Sequence, residues 1–192
     1  MYTTDNFIYK KLLEDSYHLF LEDFHSLYSS VEEMDFIKPP RQGMEPNKEW
    51  RGLYAYFQAR KKQPWLPRAF ETMKNTRKIL ESLPPNTMLG VWYSALLPGG
   101  KIGWHADVQD NPPYVRIHLP LIMPPPGDIQ MQVENRVTKQ IQDIHWSTGK
   151  VAVLDPEDRH TVWNYTDKLR LNVNFNFSTK SFTMVGVQRI EL

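Results

Sequence analysis

The chain has no cysteine in 192 residues. Disulfide bonds, thiolate metal sites and cysteine nucleophiles are therefore excluded. Nothing in the sequence calls for an oxidising compartment.

Long hydrophobic runs are also missing. The first twenty residues are interrupted by charges every few positions, so they do not resemble a signal peptide. No later apolar run has the length needed to span a bilayer. We therefore expect a cytoplasmic protein with no membrane partner.

An excess of charge of either sign is absent as well. The 23 basic and 22 acidic residues leave a formal net charge of +1. This balance provides no electrostatic footprint for nucleic acid, so no nucleic-acid partner is expected. The 41% hydrophobic and 12% aromatic content is typical of a globular protein, and the length fits one domain over residues 1–192.

The chain changes character near residue 86. Before it, apolar residues recur at steps of three and four, which predicts an amphipathic helix. A second helix is predicted over residues 67–83, ending at Pro84 and Pro85. Residues 1–86 are thus predicted to be mainly helical. The stripe of the first helix comprises Leu13, Tyr17, Phe20, Phe24, Leu27 and Val31.

Beyond residue 86, short apolar or alternating runs are separated by Gly, Pro, Asn and Asp. Eight short strands at this spacing predict a mainly β fold over residues 87–180, a jelly-roll barrel (double-stranded β-helix, cupin-like) with the N-terminal helices packed against it. The predicted strands are 88–97, 101–106, 114–123, 129–134, 140–146, 151–154, 161–165 and 169–177.

The last predicted strand alternates in polarity. Its apolar face comprises Leu169, Leu171, Val173, Phe175 and Phe177, and its polar face comprises Arg170, Asn172, Asn174 and Asn176. The polar face either meets solvent or lines a polar cavity, and periodicity does not choose between them.

A candidate metal site begins at His105 and Asp107. Residues two apart on a strand face the same side, so one ion can contact both side chains. His160 follows a predicted strand and a polar turn at 156–159, and a neighbouring strand of the barrel can bring it alongside. Two histidines and one carboxylate form the facial triad of non-haem Fe(II) oxygenases. By itself, His-x-Asp is a weak signal and fits a surface turn better than a ligand pair.

Two arginines suggest anion binding. Arg170 follows His160 by ten residues, and its guanidinium can form a bidentate pair with a carboxylate. The alternative is an exposed charge on the strand. Arg116 and His118 face the same side of their strand, which favours a carboxylate-binding surface, although a lone His118 also fits a hydrogen-bonded core residue.

These residues belong to a larger set of motifs, in which the stretch from Ser94 to Asn174 resembles the aspartyl/asparaginyl β-hydroxylase family of 2-oxoglutarate-dependent dioxygenases. The order of the motifs and most of their spacings agree with the family. The matching residues are Ser94, Pro98-Gly99, His105, Arg116-Ile117-His118-Leu119, Gly149, residues 151–155, His160-Thr161-Val162-Trp163-Asn164 and Arg170.

The resemblance implies a role for each matched residue. His105 and His160 look like the iron ligands. Arg170 and Ser94 look like the pair that holds the 5-carboxylate of 2-oxoglutarate, with His118 near the same co-substrate. Arg116 is expected near the substrate, and Trp163 beside the second histidine and the substrate.

Asp107 makes the chain resemble members with a full triad, such as proline cis-hydroxylases and lipid A hydroxylases, more than the vertebrate peptide-modifying members.

The implied activity is hydroxylation of an unactivated C–H bond with Fe(II), 2-oxoglutarate and O2. A free amino acid, an aminoacyl group or a short peptide is the expected substrate, since no membrane segment favours a lipid. Two alternatives stay open: a cupin-type metalloenzyme that does not use 2-oxoglutarate, and a non-enzymatic barrel that binds a small acid at Arg116, His118 and Arg170. The aromatic residues Trp50, Tyr54 and Tyr56 either wall the cleft or, as we favour, pack in the core.

Overall fold

The computed structural model describes residues 4–28, 34, 49–60, 62–107, 113–125 and 128–183. These residues form four helices, α1 (Lys10–Asp15), α2 (Tyr17–Leu27), α3 (Pro67–Thr72) and α4 (Lys74–Ser82). The nine strands of the same residues are β1 (Trp50–Phe57), β2 (Met88–Leu96), β3 (Lys101–His105), β4 (Tyr114–Ile122), β5 (Ile129–Glu134), β6 (Ile141–Ile144), β7 (Ala152–Leu154), β8 (Arg159–Asn164) and β9 (Arg170–Ser178). In this part of the chain, no helix has the length and apolar character needed to cross a bilayer.

The strands form two antiparallel sheets. One has the order β1-β2-β9-β4-β7 and the other β3-β8-β5-β6. An apolar cluster joins the two, with Leu96 and Leu154 from the first sheet against Ile102, Met131 and Val162 from the second. The predicted mainly β jelly roll with flanking helices is confirmed.

The outer face of the first sheet is covered by the helices. Phe20 of α2 is fully buried, and its ring packs edge-on to Phe175 of β9 with centroids 5.2 Å apart. The hydroxyl of Tyr93 on β2 donates to the Phe20 carbonyl at 2.7 Å. Burying one such aromatic side chain stabilises a fold by about 1.5–3 kcal/mol, so the apolar face of the first sheet packs under the helices. The opposite face of that sheet is then turned toward the barrel interior.

Both predicted helices are interrupted in the structure. The first divides at Ser16 into α1 and α2, and its predicted member Val31 lies outside the described residues. The second divides at Met73, whose ψ of 60° is not helical. The carboxylate of Asp23 explains the second break, because it accepts hydrogen bonds from the first amides of α4, at Asn75 N (3.3 Å) and Thr76 N (2.6 Å).

Asp23→Ala is expected to lower the free energy of unfolding by about 2–3 kcal/mol, because it leaves buried donors of α4 without an acceptor. The lost bonds include the one from Thr76 Oγ1 at 2.7 Å. Urea denaturation followed by circular dichroism measures the change. Asp15→Ala is the matched control, since the exposed Lys11–Asp15 pair is screened by solvent and contributes little to stability. Equal midpoints for the two variants would exclude this capping role.

Strand β1 lies within the part that the sequence predicted to be mainly helical. It pairs with β2 from Trp50 to Phe57. Its sequence, Trp-Arg-Gly-Leu-Tyr-Ala-Tyr-Phe, is rich in residues that favour strands, so the prediction of a mainly helical segment is wrong for these residues. The division of the chain at residue 86 stays a prediction and does not coincide with the start of the sheet.

A register shift between Tyr54 and Tyr56 turns these two side chains to opposite faces of the sheet. Tyr56 joins the core under the helices, as we favoured. Tyr54 is half exposed and stacks on Trp92 with ring centroids 5.7 Å apart. Of the two positions considered from the sequence, Tyr56 therefore takes the core, and Tyr54 lies on the other face of the sheet.

The polar face of β9 is not a solvent face. The exposed fractions of Arg170, Asn172 and Asn174 are 1%, 0% and 3%. Because the alternate residues Leu171, Val173 and Phe175 fill the core under the helices, these polar side chains point to the space between the sheets. Of the two possibilities left open by periodicity, the polar interior is the one observed.

Candidate active site

His105 and His160 are direct partners across β3 and β8, with ring centroids 4.2 Å apart. Asp107 lies just beyond the end of β3, where its backbone N–H donates to the Pro156 carbonyl at 2.8 Å. This bond ties Asp107 to the turn that precedes β8. His160 Nε2 is 3.8 Å from Asp107 Oδ2, and one ligand atom of each residue lies within 4.8 Å of the others. The barrel thus brings the predicted triad together.

Both imidazoles are oriented by the backbone. The Nδ1 atom of His105 is 2.8 Å from the Gly103 carbonyl, and that of His160 is 3.1 Å from the Asp158 carbonyl. A carbonyl oxygen only accepts, so each Nδ1 carries the proton and each Nε2 keeps a lone pair for a metal. Burial, with the nearby His105, lowers the pKa of His160 to about 3. The ring is therefore neutral near pH 7, which is the form that binds metal.

Arg116 contacts the carboxylate of the triad. Its Nη1 donates to Asp107 Oδ2, and its Nη2 donates to the Tyr114 hydroxyl at 3.2 Å. The guanidinium carbon lies 4.4 Å from the centre of the Trp92 ring. Burial lowers the pKa of Arg116 to about 10, so the guanidinium keeps its charge at neutral pH.

A pocket of about 170 Å³ adjoins this pair. It is smaller than the roughly 300–1,000 Å³ of sites that enclose a whole drug-sized ligand, so it suits one part of a substrate. Its lining includes Tyr54, Trp92, Asp107, Tyr114, Arg116 and Asn176.

The remaining predicted residues, apart from Trp163, share one interior face of the first sheet. Across β9, Asn172 pairs with Ser94, Asn174 with His118, and Asn176 with Arg116. Arg170 and Asn176 are six positions apart on β9, so their backbones are separated by about 20 Å along the strand. Arg170 and Arg116 therefore lie toward opposite ends of the barrel and can serve two different anionic groups.

Arg170 is a buried cation whose donors are only partly used. With its amide oxygen turned toward Arg170, Asn172 accepts from Nη2 at 2.7 Å. Nε and Nη1 have no hydrogen-bond partner among the described residues. Burial lowers the pKa of Arg170 to about 9, so the group is still charged near pH 7. An uncompensated buried charge is costly, so this position fits an anionic ligand.

His118 is also buried without a hydrogen-bond partner within the described ranges, at either ring nitrogen. Burial lowers its pKa well below the usual value, and the positive charges of Arg170 and Arg116 lower it further. The ring is therefore neutral and retains one N–H donor. The hydrogen-bonded core residue that we considered from the sequence does not describe it.

Ser94 is 4% exposed on β2 and accepts a hydrogen bond from Trp50 Nε1 at 3.0 Å. The proton of Ser94 is thus available to a ligand. The Trp50 ring is also 6.1 Å from that of His105, so Trp50 borders the site.

Trp163 is not brought to this group. On β8, His160 and Val162 face the barrel interior, and Trp163 faces the other way. The ammonium of Lys101 lies 5.1 Å from its ring centre. The predicted contact of Trp163 with the substrate stays a prediction.

Two tryptophans of the site, Trp92 and Trp146, were not predicted from the sequence, and Trp50, for which we favoured a core position, borders the site instead. The alternation of aromatic residues in β1 is a signal for Trp50. Trp92 is two residues before Ser94 on one strand, so it had to share its face. Trp146 lies outside any strand, and nothing in its local sequence indicates its position.

A profile of the aspartyl/asparaginyl β-hydroxylase family matches residues 14–179, which includes every residue of the candidate site. The chain belongs to this family. The predicted resemblance is therefore confirmed and extends well before Ser94, into the helices that cover the first sheet.

Two proteins are similar to this chain, one in sequence and one in structure. The ornithine lipid ester-linked acyl 2-hydroxylase of Rhizobium tropici is 32% identical over 104 residues, which are 54% of the chain. The match spans only 34% of that enzyme's length. An oxidoreductase of the 2OG-Fe(II) oxygenase family from Burkholderia pseudomallei superposes with a TM-score of 0.55 at 14% identity, covering 82% of this chain and 78% of the other. At that identity the likeness shows the fold alone. Family membership supports a hydroxylase.

Proposed function

We propose that the protein is an Fe(II)- and 2-oxoglutarate-dependent hydroxylase. The observation that carries the proposal is the buried Arg170, whose unpaired donors lie inside the same barrel as the His105, Asp107 and His160 cluster. A set of three metal-ligand side chains alone is found in many classes of enzyme. The same set beside a buried, uncompensated guanidinium is typical of an enzyme that also binds an acidic co-substrate.

Each residue has one task in this proposal. His105 and His160 hold Fe(II) through their Nε2 atoms, and Asp107 holds it through a carboxylate oxygen, which leaves coordination positions for other ligands. Arg170 and Ser94 hold the distal carboxylate of 2-oxoglutarate, and His118 adds a donor. When bound, Fe(II), 2-oxoglutarate and O2 supply the oxidation of a C–H bond to an alcohol, with succinate and CO2 as the other products.

The substrate is expected at Arg116. The backbone position of Arg116 is about 20 Å along the sheet from that of Arg170, so we assign the substrate and the dicarboxylate to different ends of the sheet. The pocket beside Arg116 is walled by Tyr54, Trp92 and Tyr114. A substrate that places an anionic group at Arg116 and an apolar segment against these rings fits it best.

Two substrate classes meet this description. An amino acid, aminoacyl group or short peptide is the class expected from the sequence. An acyl lipid is the second, because the Rhizobium relative is an acyl 2-hydroxylase of ornithine lipid. Hydroxylation beside a carboxylate or ester is chemically possible in both classes.

The test is a substrate screen under one set of conditions, with Fe(II), 2-oxoglutarate and O2 present. We expect one class to increase succinate formation and to gain the mass of one oxygen atom in equal amounts. Labelling with ¹⁸O2 shows whether the added atom comes from dioxygen. Succinate formation that no metal or substrate affects would refute the proposal.

The two alternatives make different demands on the same residues. A cupin-type metalloenzyme without 2-oxoglutarate has no use for the unpaired donors of Arg170. A non-enzymatic acid-binding barrel has no use for three metal-ligand side chains that meet. Bound metal without succinate formation would favour the first, and ligand binding without metal would favour the second.

A further inference from the structure

Trp146 contacts two buried groups at the predicted co-substrate position, Arg170 and His118. It follows β6 and is 7% exposed. The guanidinium carbon of Arg170 is 4.1 Å from the centre of the Trp146 ring. The Trp146 ring centroid is also 5.2 Å from that of His118. One side chain therefore contacts both groups.

The indole nitrogen of Trp146 is buried and has no hydrogen-bond partner among the described residues. Leaving a buried donor unpaired is unfavourable, and tryptophan N–H groups usually find an acceptor when buried. A phenylalanine or leucine would fill the apolar cluster of Leu96, Ile102 and Met131 without this cost. Packing alone does not account for an indole here.

The unpaired atoms around Trp146 are mostly donors. Arg170 contributes Nε and Nη1, Trp146 contributes Nε1, and the neutral His118 contributes one N–H. The unpaired acceptors are the other His118 nitrogen and the Asn174 amide oxygen. With one fixed cation and this surplus of donors, the group is complementary to an anion with several acceptor atoms.

We propose that Trp146 completes the carboxylate-binding site of the co-substrate. Its ring face packs on the guanidinium and positions Arg170, since a cation over an indole face is held by the ring quadrupole. Its Nε1–H donates a hydrogen bond to the bound dicarboxylate. The identity of the ligand as 2-oxoglutarate rests on the proposed function, whereas the involvement of Trp146 rests on its own contacts.

Two substitutions separate the two tasks. Trp146→Phe keeps an aromatic face but removes the N–H, and Trp146→Leu removes both. Isothermal titration of 2-oxoglutarate into Mn(II)-loaded protein measures the Kd without turnover. We expect a rise of about tenfold for Trp146→Phe and about fiftyfold or more for Trp146→Leu. The control Trp65→Phe changes a tryptophan that packs on Tyr56 against the core under the helices, with ring centroids 5.0 Å apart, and is expected to stay within about twofold of wild type.

A second readout distinguishes positioning from general loss of structure. In an Arg170→Lys background, the Trp146→Leu effect on the Kd is expected to shrink, because the stacked partner is already gone. Tryptophan emission is expected to change on 2-oxoglutarate binding in wild type and Trp65→Phe, and to change less in Trp146→Phe, which still has Trp50 beside Ser94. Mn(II) affinity is expected to be unchanged in all variants.

Failure of each idea has a separate signature. Wild-type protein that binds Mn(II) but no 2-oxoglutarate would overturn both this inference and the proposed function. Wild-type binding that Trp146→Phe and Trp146→Leu leave intact would overturn the inference alone. If Trp146→Leu does not fold, Trp146→Phe decides, since it keeps the ring: an unchanged Kd and an unchanged emission response would refute the donor role.

Discussion

His105→Ala and His160→Ala are each expected to abolish stoichiometric Fe(II) binding in a protein that still folds. Each removes one of three ligand side chains, and an alanine provides no replacement. The two histidines pair directly across β3 and β8, so neither can move to compensate for the other. Anaerobic reconstitution followed by elemental analysis measures the bound iron, and circular dichroism verifies the fold.

A third variant and a control sharpen this result. Asp107→Ala is expected to weaken iron binding and to reduce turnover strongly while retaining more iron than either histidine variant, because both imidazoles remain. His18→Ala changes an exposed histidine on α2 and is expected to bind iron like wild type. Full iron content in both His105→Ala and His160→Ala would exclude this metal centre.

Arg170→Met is expected to raise the Kd for 2-oxoglutarate by at least about a hundredfold. The substitution keeps the bulk of the side chain and deletes the guanidinium, and removing one partner of a desolvated charge pair costs several kcal/mol. A hundredfold change corresponds to about 3 kcal/mol at ~1.4 kcal/mol per decade. Titration of the visible charge-transfer band of the anaerobic Fe(II) complex measures it.

Iron binding is expected to be unaffected by Arg170→Met, because Arg170 is not one of the three candidate ligands. Arg159→Met is the matched control, since Arg159 is exposed at the start of β8 and pairs with Glu134. A wild-type complex without the band would favour the cupin-type alternative. Equal affinities in wild type and Arg170→Met would reassign Arg170 to a structural role.

The strands and the facing of their residues could be predicted from the sequence because β-sheet periodicity is local. Residues i and i+2 share a face wherever a strand pairs without a bulge, so the common side of Arg116 and His118 required no knowledge of the fold. The same rule grouped Arg170 with Asn172, Asn174 and Asn176. Observed strand boundaries differ from the predicted ones by a few residues at most.

The helical part was predicted less well, and the reason is tertiary. The break at Met73 depends on Asp23, more than fifty residues before the amides of Asn75 and Thr76 that it accepts from. Periodicity within the segment carries no record of that contact. Strand β1 was missed for a related reason, because a single strand is stable only when it pairs with a neighbour such as β2.

The sequence by itself determined the chemistry that is available: no thiols, balanced charge, and a His-x-Asp with a later histidine and arginine in the order of one enzyme family. Only the tertiary structure decided that the polar face of β9 is interior, that Trp163 faces away from the group, and that Trp146 contacts Arg170 and His118. The physical reason is that facing along a strand is set by neighbouring backbone bonds. Which side of the sheet is closed to water, and what lies across the barrel, depends on pairing between residues far apart in the chain.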